Sequence, residues 1–519
     1  MKKGGTGVKV NQLKWGAALS YVSLILGTLV SLLYTPVMLE RLGDSEYGVY
    51  NLALPLVAYL NLLSFGLGSA YTRYYSRFKA NDDKAGMAKL NGMFLITYTV
   101  LGCVVLALGL LVSHNAPLVF GNKLTDDELA LAEKLMVVLS FNAAISFPIS
   151  VFESHVMINE RYVFQKIVAM LKSVVNPLVM IPLLIIGFRS VTMVVLSLIF
   201  TLISGVLNVG YCVGKLKMPV SFKVFDWKLM REMLGFTSYV FIGIVVDQLN
   251  WSIDRLLLGW LHGTAAVTVY VQASQLNIYY LSLATAFSGV LTPRVHRIVA
   301  SGGDDKQLSD LFTKTGRLQF ILMSMVMLGF VAVGRPFVVL WSGGGARFNT
   351  SYYIGLILFA STLIPAIQNV GIEIQRAKNM HKFRSLVYLG VAVGNVFLSI
   401  PLTKLWGGFG AALGTLISIL VGNVILMNWY YHKKIGLDIP GFWKEIGKMM
   451  PSLVMPILVA VVIAMFVPQS LWGVLIGGVV FVGIFVPYMW CIGMNEYERE
   501  LVREPLSRVL RRFKKGEPS

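Results

Sequence analysis

The chain has 519 residues, of which 56% are hydrophobic and 14% are charged, and its formal net charge at pH 7 is +19. This composition, with a mean hydropathy of +0.70, is far from that of a soluble globular domain. The three cysteines and six histidines are scattered, and no glycine-rich phosphate loop follows a strand pattern. We therefore expect no disulfide framework, metal centre, cofactor or site of ATP hydrolysis, and we predict an all-α polytopic membrane protein.

Apolar runs of membrane-spanning length recur fourteen times along the chain. The first run follows four lysines but is longer than the apolar core of a signal peptide, so we interpret it as a retained helix. In chain order the runs cover about residues 15–39, 47–70, 90–112, 135–156, 163–187, 190–214, 235–258, 266–290, 318–340, 352–375, 385–403, 408–431, 449–467 and 471–494.

Lysine and arginine are distributed unevenly between the loops on the two sides of these runs. One side carries 37 of the 45 basic residues and the other carries 7, while Arg255 lies inside the seventh run. The positive-inside rule then predicts a multi-pass protein with both termini in the cytoplasm. Loop charge explains the net charge, so no nucleic-acid partner is expected. The basic C-terminal tail either rests on anionic membrane lipids or only anchors the topology.

An internal repeat becomes visible when the chain is aligned with itself at an offset of about 220 residues. Glu153 then aligns with Glu373, and several neighbouring positions also match. Because each copy contains six runs, an even number, the copies are predicted to be parallel and related by an axis along the membrane normal. We predict two six-helix lobes around a central cavity, 1–220 and 221–440. Residues 441–519 add two peripheral helices and the basic tail.

The seventh run, about residues 235–258, contains three charged residues. A charge at the bilayer centre costs roughly 2.5–3.5 kcal/mol, so such residues face a translocation pathway or a partner helix. Asp247, Asn250, Trp251 and Asp254 have i, i+3, i+4, i+7 spacing and share one helix face. Arg255 follows directly and either faces that pathway or forms an ion pair with a neighbour.

Several short motifs are spread over nearly the whole chain. They are Glu40-Arg41-Leu42-Gly43 with Tyr47-Gly48-x-Tyr50, Phe65-Gly66-Leu67-Gly68, Asp254-Arg255-Leu256-Leu257-Leu258-Gly259, Pro293-Arg294-Val295, Arg335-Pro336-Phe337, and Gly407-x2-Gly410-Ala411-Ala412. Together these motifs resemble those of bacterial polysaccharide flippases. The resemblance implies the multidrug/oligosaccharidyl-lipid/polysaccharide exporter fold. It also implies a cargo of undecaprenyl pyrophosphate carrying a short sugar repeat, moved from the inner to the outer leaflet by alternating access.

This resemblance also implies a location, partners and alternatives. It implies a transporter rather than an enzyme, in a bacterial cytoplasmic membrane, with a polysaccharide polymerase and glycosyltransferases as partners. A proton or sodium ion bound by Asp247 or Asp254 is the candidate for coupling. A lipid II flippase shares the fold and the carrier, and a multidrug or cation exporter of the superfamily would favour acidic cavity residues. A membrane polymerase or glycosyltransferase normally needs a sizeable catalytic loop, whereas the outer loops are short.

Moving a lipid-linked oligosaccharide calls for cations that bind pyrophosphate and for polar groups that bind sugar hydroxyls. Because a guanidinium can bind phosphate oxygens in a bidentate manner, Arg255 is the candidate for such a cation within the membrane, or it forms an ion pair with Asp254 or a partner helix. Arg73 and Lys172 are candidates to receive the pyrophosphate, or they are topology signals with snorkelling side chains. Glu153 and Glu373 are predicted to form a gate or a symmetric structural pair. The candidates for sugar binding, which helix packing would explain equally, are Gln272, Gln275, Asn277, Gln368 and Asn369.

Overall fold

The computed structural model describes residues 12–121, 123–223, 225–289, 292–301, 304–378, 380, 382–501 and 503. Within these ranges the regular structure is entirely helical, which confirms the predicted all-α class. The basic tail beyond residue 503 lies outside the described part of the chain. By its internal contacts the chain divides into two units, Met1–Thr268 and Val269–Ser519.

The helices of the first unit follow one another with short connections. Side-chain caps begin α3, α5 and α9: Asp83 accepts a hydrogen bond from the Gly86 N–H at 2.7 Å, Thr125 and Glu128 form a capping box, and Asp226 accepts a hydrogen bond from the Leu229 N–H. The helices are α1 (Gln12–Asn61), α2 (Leu67–Ala80), α3 (Lys84–His114), α4 (Ala116–Phe120), α5 (Asp126–Ile158), α6 (Tyr162–Met170), α7 (Asn176–Ile186), α8 (Ser190–Gly214), α9 (Trp227–His262) and the start of α10 (Thr264–Gly289).

The remainder of α10 and ten further helices belong to the second unit. Two of the long helices continue into π-helical turns, Leu420–Met427 and Met489–Gly493. The helices are α11 (Thr292–Ala300), α12 (Asp305–Trp341), α13 (Asn349–Ile367), α14 (Val370–Ala377), α15 (Lys382–Trp406), α16 (Gly408–Ile419), α17 (Asn428–Tyr430), α18 (Ile439–Gly447), α19 (Pro451–Phe466) and α20 (Leu471–Tyr488).

Within the described ranges the fourteen apolar runs lie mainly on helix, but the number of fourteen spans is not confirmed. Among the described residues, ten helices are long and apolar enough to cross a membrane, or eleven if the bent pair α18 and α19 is one span. The first two runs share α1, which is kinked at Gly43 with φ +75°, a backbone conformation that glycine readily adopts. Helices α9 and α10 are not among the ten, and polar residues interrupt the apolar sequence of both.

The internal repeat extends to side-chain packing. Phe164 stacks on Tyr211 in the first unit, with ring centroids 4.0 Å apart and an interplanar angle of 13°. At an offset of 219 residues, Phe383 stacks on Tyr430 in the second unit, at 4.1 Å and 13°. Both pairs join the two helical segments that end each copy, so the two copies fold alike at these positions.

The connection between the two copies packs against the first unit. The Ser221 N–H donates to the Ala88 carbonyl oxygen at 2.9 Å, and a Cβ atom at Gly92 would lie 1.9 Å from the Ser221 carbonyl oxygen. This connection and the contacts of α9 with α1 and α2 group α9 with the first unit. The lobe boundaries at residues 220 and 440 therefore differ from the contact-based division at Thr268, and they stay a prediction.

The last two long helices, α19 and α20, pack along α12. Phe481, Phe485 and Met489 face inward and belong to the buried core of the second unit. Val462 and Met465 of α19 are exposed, as apolar side chains in contact with lipid would be. These two helices therefore form an addition to one side of the second unit that is tied into its core.

Candidate functional site

Helix α9 carries the charged residues that the sequence analysis selected. An acidic residue, Asp226, caps the start of this helix. Asp226 accepts a hydrogen bond from the Leu229 N–H at 3.0 Å and forms an ion pair with Lys89 of α3 at 2.6 Å. The hydrogen bond from Lys89, followed by the one from Leu229, lowers the pKa of the Asp226 carboxyl group. A lowered pKa means that the pair persists at neutral pH and weakens only as the pH falls through that pKa.

Asp254 and Arg255 lie near the far end of α9. Asp254 is only 4% exposed and Arg255 is half-buried, and both interact with neighbouring groups. The Asp254 carboxylate lies within electrostatic range of Tyr59 on α1. The side chains of Asp247, Asn250 and Trp251 lie outside the described part of the chain. Helix α9 thus presents a buried aspartate toward α1, beside a half-buried arginine.

Arg73 lies on the exposed side of α2 and is held by a contact with α9. Its guanidinium carbon is 4.4 Å from the ring centroid of Phe236, a cation–π arrangement. The neighbouring Tyr74 donates a hydrogen bond from its hydroxyl group to Glu232 at 2.9 Å. The cation is therefore oriented by an aromatic ring while it stays accessible.

Glu153 and Glu373, which match in the internal repeat, are both ion-paired within their own units. Glu153 lies 3.6 Å from Lys172, so two residues predicted for different roles come together. Lys172 belongs to a π-helical turn, Leu171–Val175, a feature that is frequent at functional sites. Glu373 pairs with Arg376 of its own helix at 2.7 Å. The gate or structural role of the two glutamates stays a prediction.

The predicted sugar-binding amides of the second unit connect its helices. The Asn277 side-chain oxygen accepts a hydrogen bond from the Thr362 hydroxyl at 2.8 Å, and the Asn369 amide donates to the Ser288 hydroxyl at 2.8 Å. The Gln368 amide donates to the Asn428 side-chain oxygen at 2.7 Å. Gln275 is half-buried on α10. Three of the five residues thus take part in helix packing, and sugar binding by this group stays a prediction.

Gln272 differs from these residues because it is fully buried and neither polar atom of its amide has a hydrogen-bond partner among the described residues. An unsatisfied buried polar group costs about 1–3 kcal/mol. Gln272→Met is therefore expected to raise the free energy of unfolding by about 1–3 kcal/mol, measured by thermal unfolding in detergent. Asn277→Leu is the matched control, and it should lower stability because Thr362 loses its acceptor. A loss of stability in Gln272→Met would contradict this account.

Glu128, at the start of α5, was missed as a functional candidate although its capping box with Thr125 is visible in the sequence. One carboxylate oxygen accepts hydrogen bonds from the Ser45 hydroxyl at 2.6 Å and from the Thr264 hydroxyl at 2.7 Å. The other accepts a hydrogen bond from the Thr125 N–H at 2.9 Å. A single carboxylate thus joins the kink of α1, the start of α5 and the start of α10.

Glu46 is a second carboxylate near the kink, within the segment that carries the family resemblance. It is buried and accepts hydrogen bonds from the N–H and the hydroxyl of Ser190, at 2.8 and 2.5 Å. Arg189 lies 3.2 Å from its other oxygen. An anion at the start of α8 is favourable because the first N–H groups of a helix lack partners and carry partial positive charge.

A buried ion pair in the second unit was also missed, because its members are far apart in sequence. The Arg317 Nε donates to one carboxylate oxygen of Glu498 at 2.7 Å, and one terminal nitrogen donates to the other oxygen at 3.0 Å. The remaining terminal nitrogen reaches Glu445 at 3.2 Å. These contacts join α12 to α18 and to the segment that follows α20.

The described residues contain no group of three His, Cys, Asp or Glu side chains that could hold a metal ion. The side chains that meet in the contacts described above include cations, carboxylates and amides.

Comparison with known proteins places these features in context. The pattern of the family described as polysaccharide biosynthesis protein matches residues 14–299, more than half of the chain. A Shigella flexneri protein described as an O-antigen transporter is 21% identical over 413 residues, which cover 78% of this chain and 94% of that protein.

Two solved structures share the fold. The lipid II flippase MurJ in an inward closed conformation has a TM-score of 0.71 at 17% identity, over 94% of this chain and 99% of the other. An inward-facing multidrug resistance MATE family transporter of the MOP superfamily has a TM-score of 0.65 at 15% identity, over 83% and 99% of the two chains. At these identities the likeness concerns architecture.

Proposed function

The chain belongs to the polysaccharide biosynthesis protein family, as a polysaccharide flippase of the MOP superfamily, and we propose that it moves an undecaprenyl-pyrophosphate-linked oligosaccharide across a bacterial cytoplasmic membrane. Transport runs from the inner to the outer leaflet, without covalent chemistry. The termini lie in the cytoplasm, where the positive-inside rule places them. Glycosyltransferases supply the cargo, and a polysaccharide polymerase uses it.

The observation that carries this proposal is the Asp254–Arg255 pair in α9. A guanidinium and a buried carboxylate that are retained within the hydrophobic stretch of α9 require a functional reason, because each charge is costly in the membrane. Pyrophosphate is the cargo group that a guanidinium binds best, through two parallel hydrogen bonds. Arg255 binds this group during passage, and Asp254 supplies the adjacent negative charge.

Entry of the cargo from the cytoplasm uses cations that are exposed before transport. Arg73 fits this role because Phe236 orients its guanidinium while it remains accessible. Lys172 fits it because its partner Glu153, at 3.6 Å, can be exchanged for a phosphate oxygen. The pyrophosphate passes from these two residues to Arg255.

We propose that a proton or sodium gradient supplies the energy for directed transport. A buried carboxylate is the group that such an ion would neutralise, and Asp254 is nearly fully buried. Binding of the cation removes the negative charge beside Arg255 and so changes how strongly the arginine binds phosphate. The ion thereby favours one conformation over the other through its differential affinity.

Reconstitution tests the proposal. The purified protein is placed in proteoliposomes with undecaprenyl-pyrophosphate oligosaccharide, and the sugar that reaches the opposite leaflet is measured with a membrane-impermeant oxidising reagent. We expect flipping above the rate of protein-free liposomes, and acceleration by a proton or sodium gradient.

Three outcomes would contradict the proposal or redirect it. Flipping no faster than in protein-free liposomes would contradict it. Preference for lipid II over the oligosaccharide carrier would favour the related lipid II function. Export of organic cations without movement of the lipid would favour a multidrug exporter.

A further inference from the structure

The turn between α9 and α10 is held against α1 and α5 by a shared acceptor. The carboxylate of Glu128 accepts from Ser45 on α1 and from Thr264 on α10, through the same oxygen, at 2.6 and 2.7 Å. Under the predicted topology all these helix ends lie on the outer side of the membrane. We name Glu128, Ser45 and Thr264 the outer latch.

Two further hydrogen bonds fix the same turn. The Thr268 hydroxyl donates to the Asp44 carbonyl oxygen at 2.8 Å, and the Trp260 indole N–H donates to the Val119 carbonyl oxygen at 2.6 Å. The chain passes from the first unit to the second directly after Thr268. The latch therefore clamps the point at which the chain leaves the first unit.

Glycines allow the backbones to approach at this place. A Cβ atom at Gly48 would lie 2.5 Å from the Thr264 carbonyl oxygen, and one at Gly259 would lie 2.5 Å from the Leu52 side chain. Real Cβ atoms do not show such distances, so neither glycine can be replaced without displacement of a neighbour. Gly48 belongs to the Tyr47-Gly48-x-Tyr50 motif, and this packing gives a physical reason for its glycine.

The latch combines strength with access to water. A carboxylate acceptor makes stronger hydrogen bonds than a neutral one, which favours the closed arrangement. Glu128 and Ser45 are nonetheless partly exposed, so water can replace each hydroxyl partner when the turn moves away. A contact that is strong when closed and easily hydrated when open suits a repeated conformational change.

We propose that the outer latch holds the outer side of the first unit shut and breaks each time the protein opens toward the outside. This inference rests on the proposed flippase function, because a transporter must expose its cargo on the far side of the membrane. Glu128 acts as a positioning residue that sets the population of the closed state and does not touch the cargo.

A buried position beside the latch reports its opening. Val267 is fully buried and lies between two of the residues that fix the turn, Thr264 and Thr268. In a chain in which Cys103, Cys212 and Cys491 are replaced by alanine, Val267→Cys supplies the only thiol. Its reaction rate with a membrane-impermeant thiol reagent, applied from outside, measures how often the outer side opens.

Three variants separate the latch from the helix cap. Glu128→Ala removes the latch and the capping box, whereas Ser45→Ala with Thr264→Val removes the latch and leaves the box. Both are expected to raise the labelling rate about tenfold, because the closed state loses charge-assisted hydrogen bonds. Thr125→Ala weakens the cap and retains the latch, so its labelling rate should stay within about twofold of the unsubstituted protein.

The proposal is overturned if the Ser45→Ala, Thr264→Val protein labels at the unsubstituted rate, or if all three variants label equally. Because this double variant retains the cap of α5, it remains informative even if Glu128→Ala does not fold. Labelling does not depend on which lipid is moved. Faster labelling of the latch variants, with no flipping of the oligosaccharide carrier, would therefore contradict the proposed function and support the latch. Flipping of the carrier, with labelling of the latch variants at the unsubstituted rate, would support the proposed function and contradict the latch.

Discussion

Glu498→Ala is expected to lower the free energy of unfolding by about 3–5 kcal/mol, the range measured when one member of a buried ion pair is removed. Arg317 is 5% exposed and Glu498 is 1% exposed, and they share two hydrogen bonds. Without Glu498, the guanidinium keeps only the half-exposed Glu445 as a charged partner among the described residues. Denaturant or thermal unfolding in detergent, read by tryptophan fluorescence, measures the change.

Two controls test this explanation. Glu496→Ala removes an exposed carboxylate two residues away and should leave stability within about 0.5 kcal/mol. Replacing both Arg317 and Glu498 by methionine should recover much of the lost stability, because apolar residues of similar volume often substitute for a buried pair. A Glu498→Ala protein as stable as the Glu496→Ala protein would show that the pair contributes nothing.

This ion pair also bears on the last two helices. The sequence presents α19 and α20 as an addition beyond the repeat and predicts that they are peripheral. The buried pair ties the segment after α20 to α12, and Phe481 and Phe485 fill the core of the second unit. Truncation before α19 should therefore destabilise the second unit.

Arg255→Ala is expected to lower the flipping rate about 10–150-fold, the loss that corresponds to one charge-assisted, bidentate contact of about 1.5–3 kcal/mol. Membrane insertion should not be impaired, because removal of a charge from a hydrophobic stretch favours insertion. Arg255→Lys should retain part of the rate, since an ammonium binds phosphate as a point charge. The proteoliposome assay measures all three proteins at equal amounts.

A matched control lies on the same helix. Arg231→Ala removes an exposed cation near the start of α9 and should leave flipping nearly unchanged. Normal flipping by Arg255→Ala would remove Arg255 from the phosphate site. If Arg255 only forms an ion pair with Asp254, then Asp254→Asn and Arg255→Ala should be equally impaired and the double variant should recover.

Local and periodic features could be predicted from the sequence. The apolar runs predicted helices, and the offset of about 220 residues predicted a repeat that reappears in the Phe164–Tyr211 and Phe383–Tyr430 stacks. Both signals depend on neighbouring residues or on similarity between segments. The number of spans was harder to predict, because a one-residue break at Gly43 and the polar residues of α9 and α10 blur the apolar pattern.

Long-range partners could not be predicted. Thr125 and Glu128 are visible as a capping box, but Ser45 and Thr264 lie 83 and 136 residues from Glu128 in sequence. Arg317 and Glu498 are 181 residues apart. A polar residue in an apolar helix shows only that it needs a partner, and the fold decides which partner it finds.

The most direct test of the proposed function is the leaflet distribution and mass of undecaprenyl-linked sugars in cells with and without this protein. Depletion should cause one undecaprenyl-pyrophosphate oligosaccharide to accumulate in the inner leaflet, and its mass would identify the sugar repeat. Re-expression of the protein should reverse the accumulation, and Arg255→Ala should not. Unchanged lipid intermediates together with increased sensitivity to drugs would contradict the flippase account.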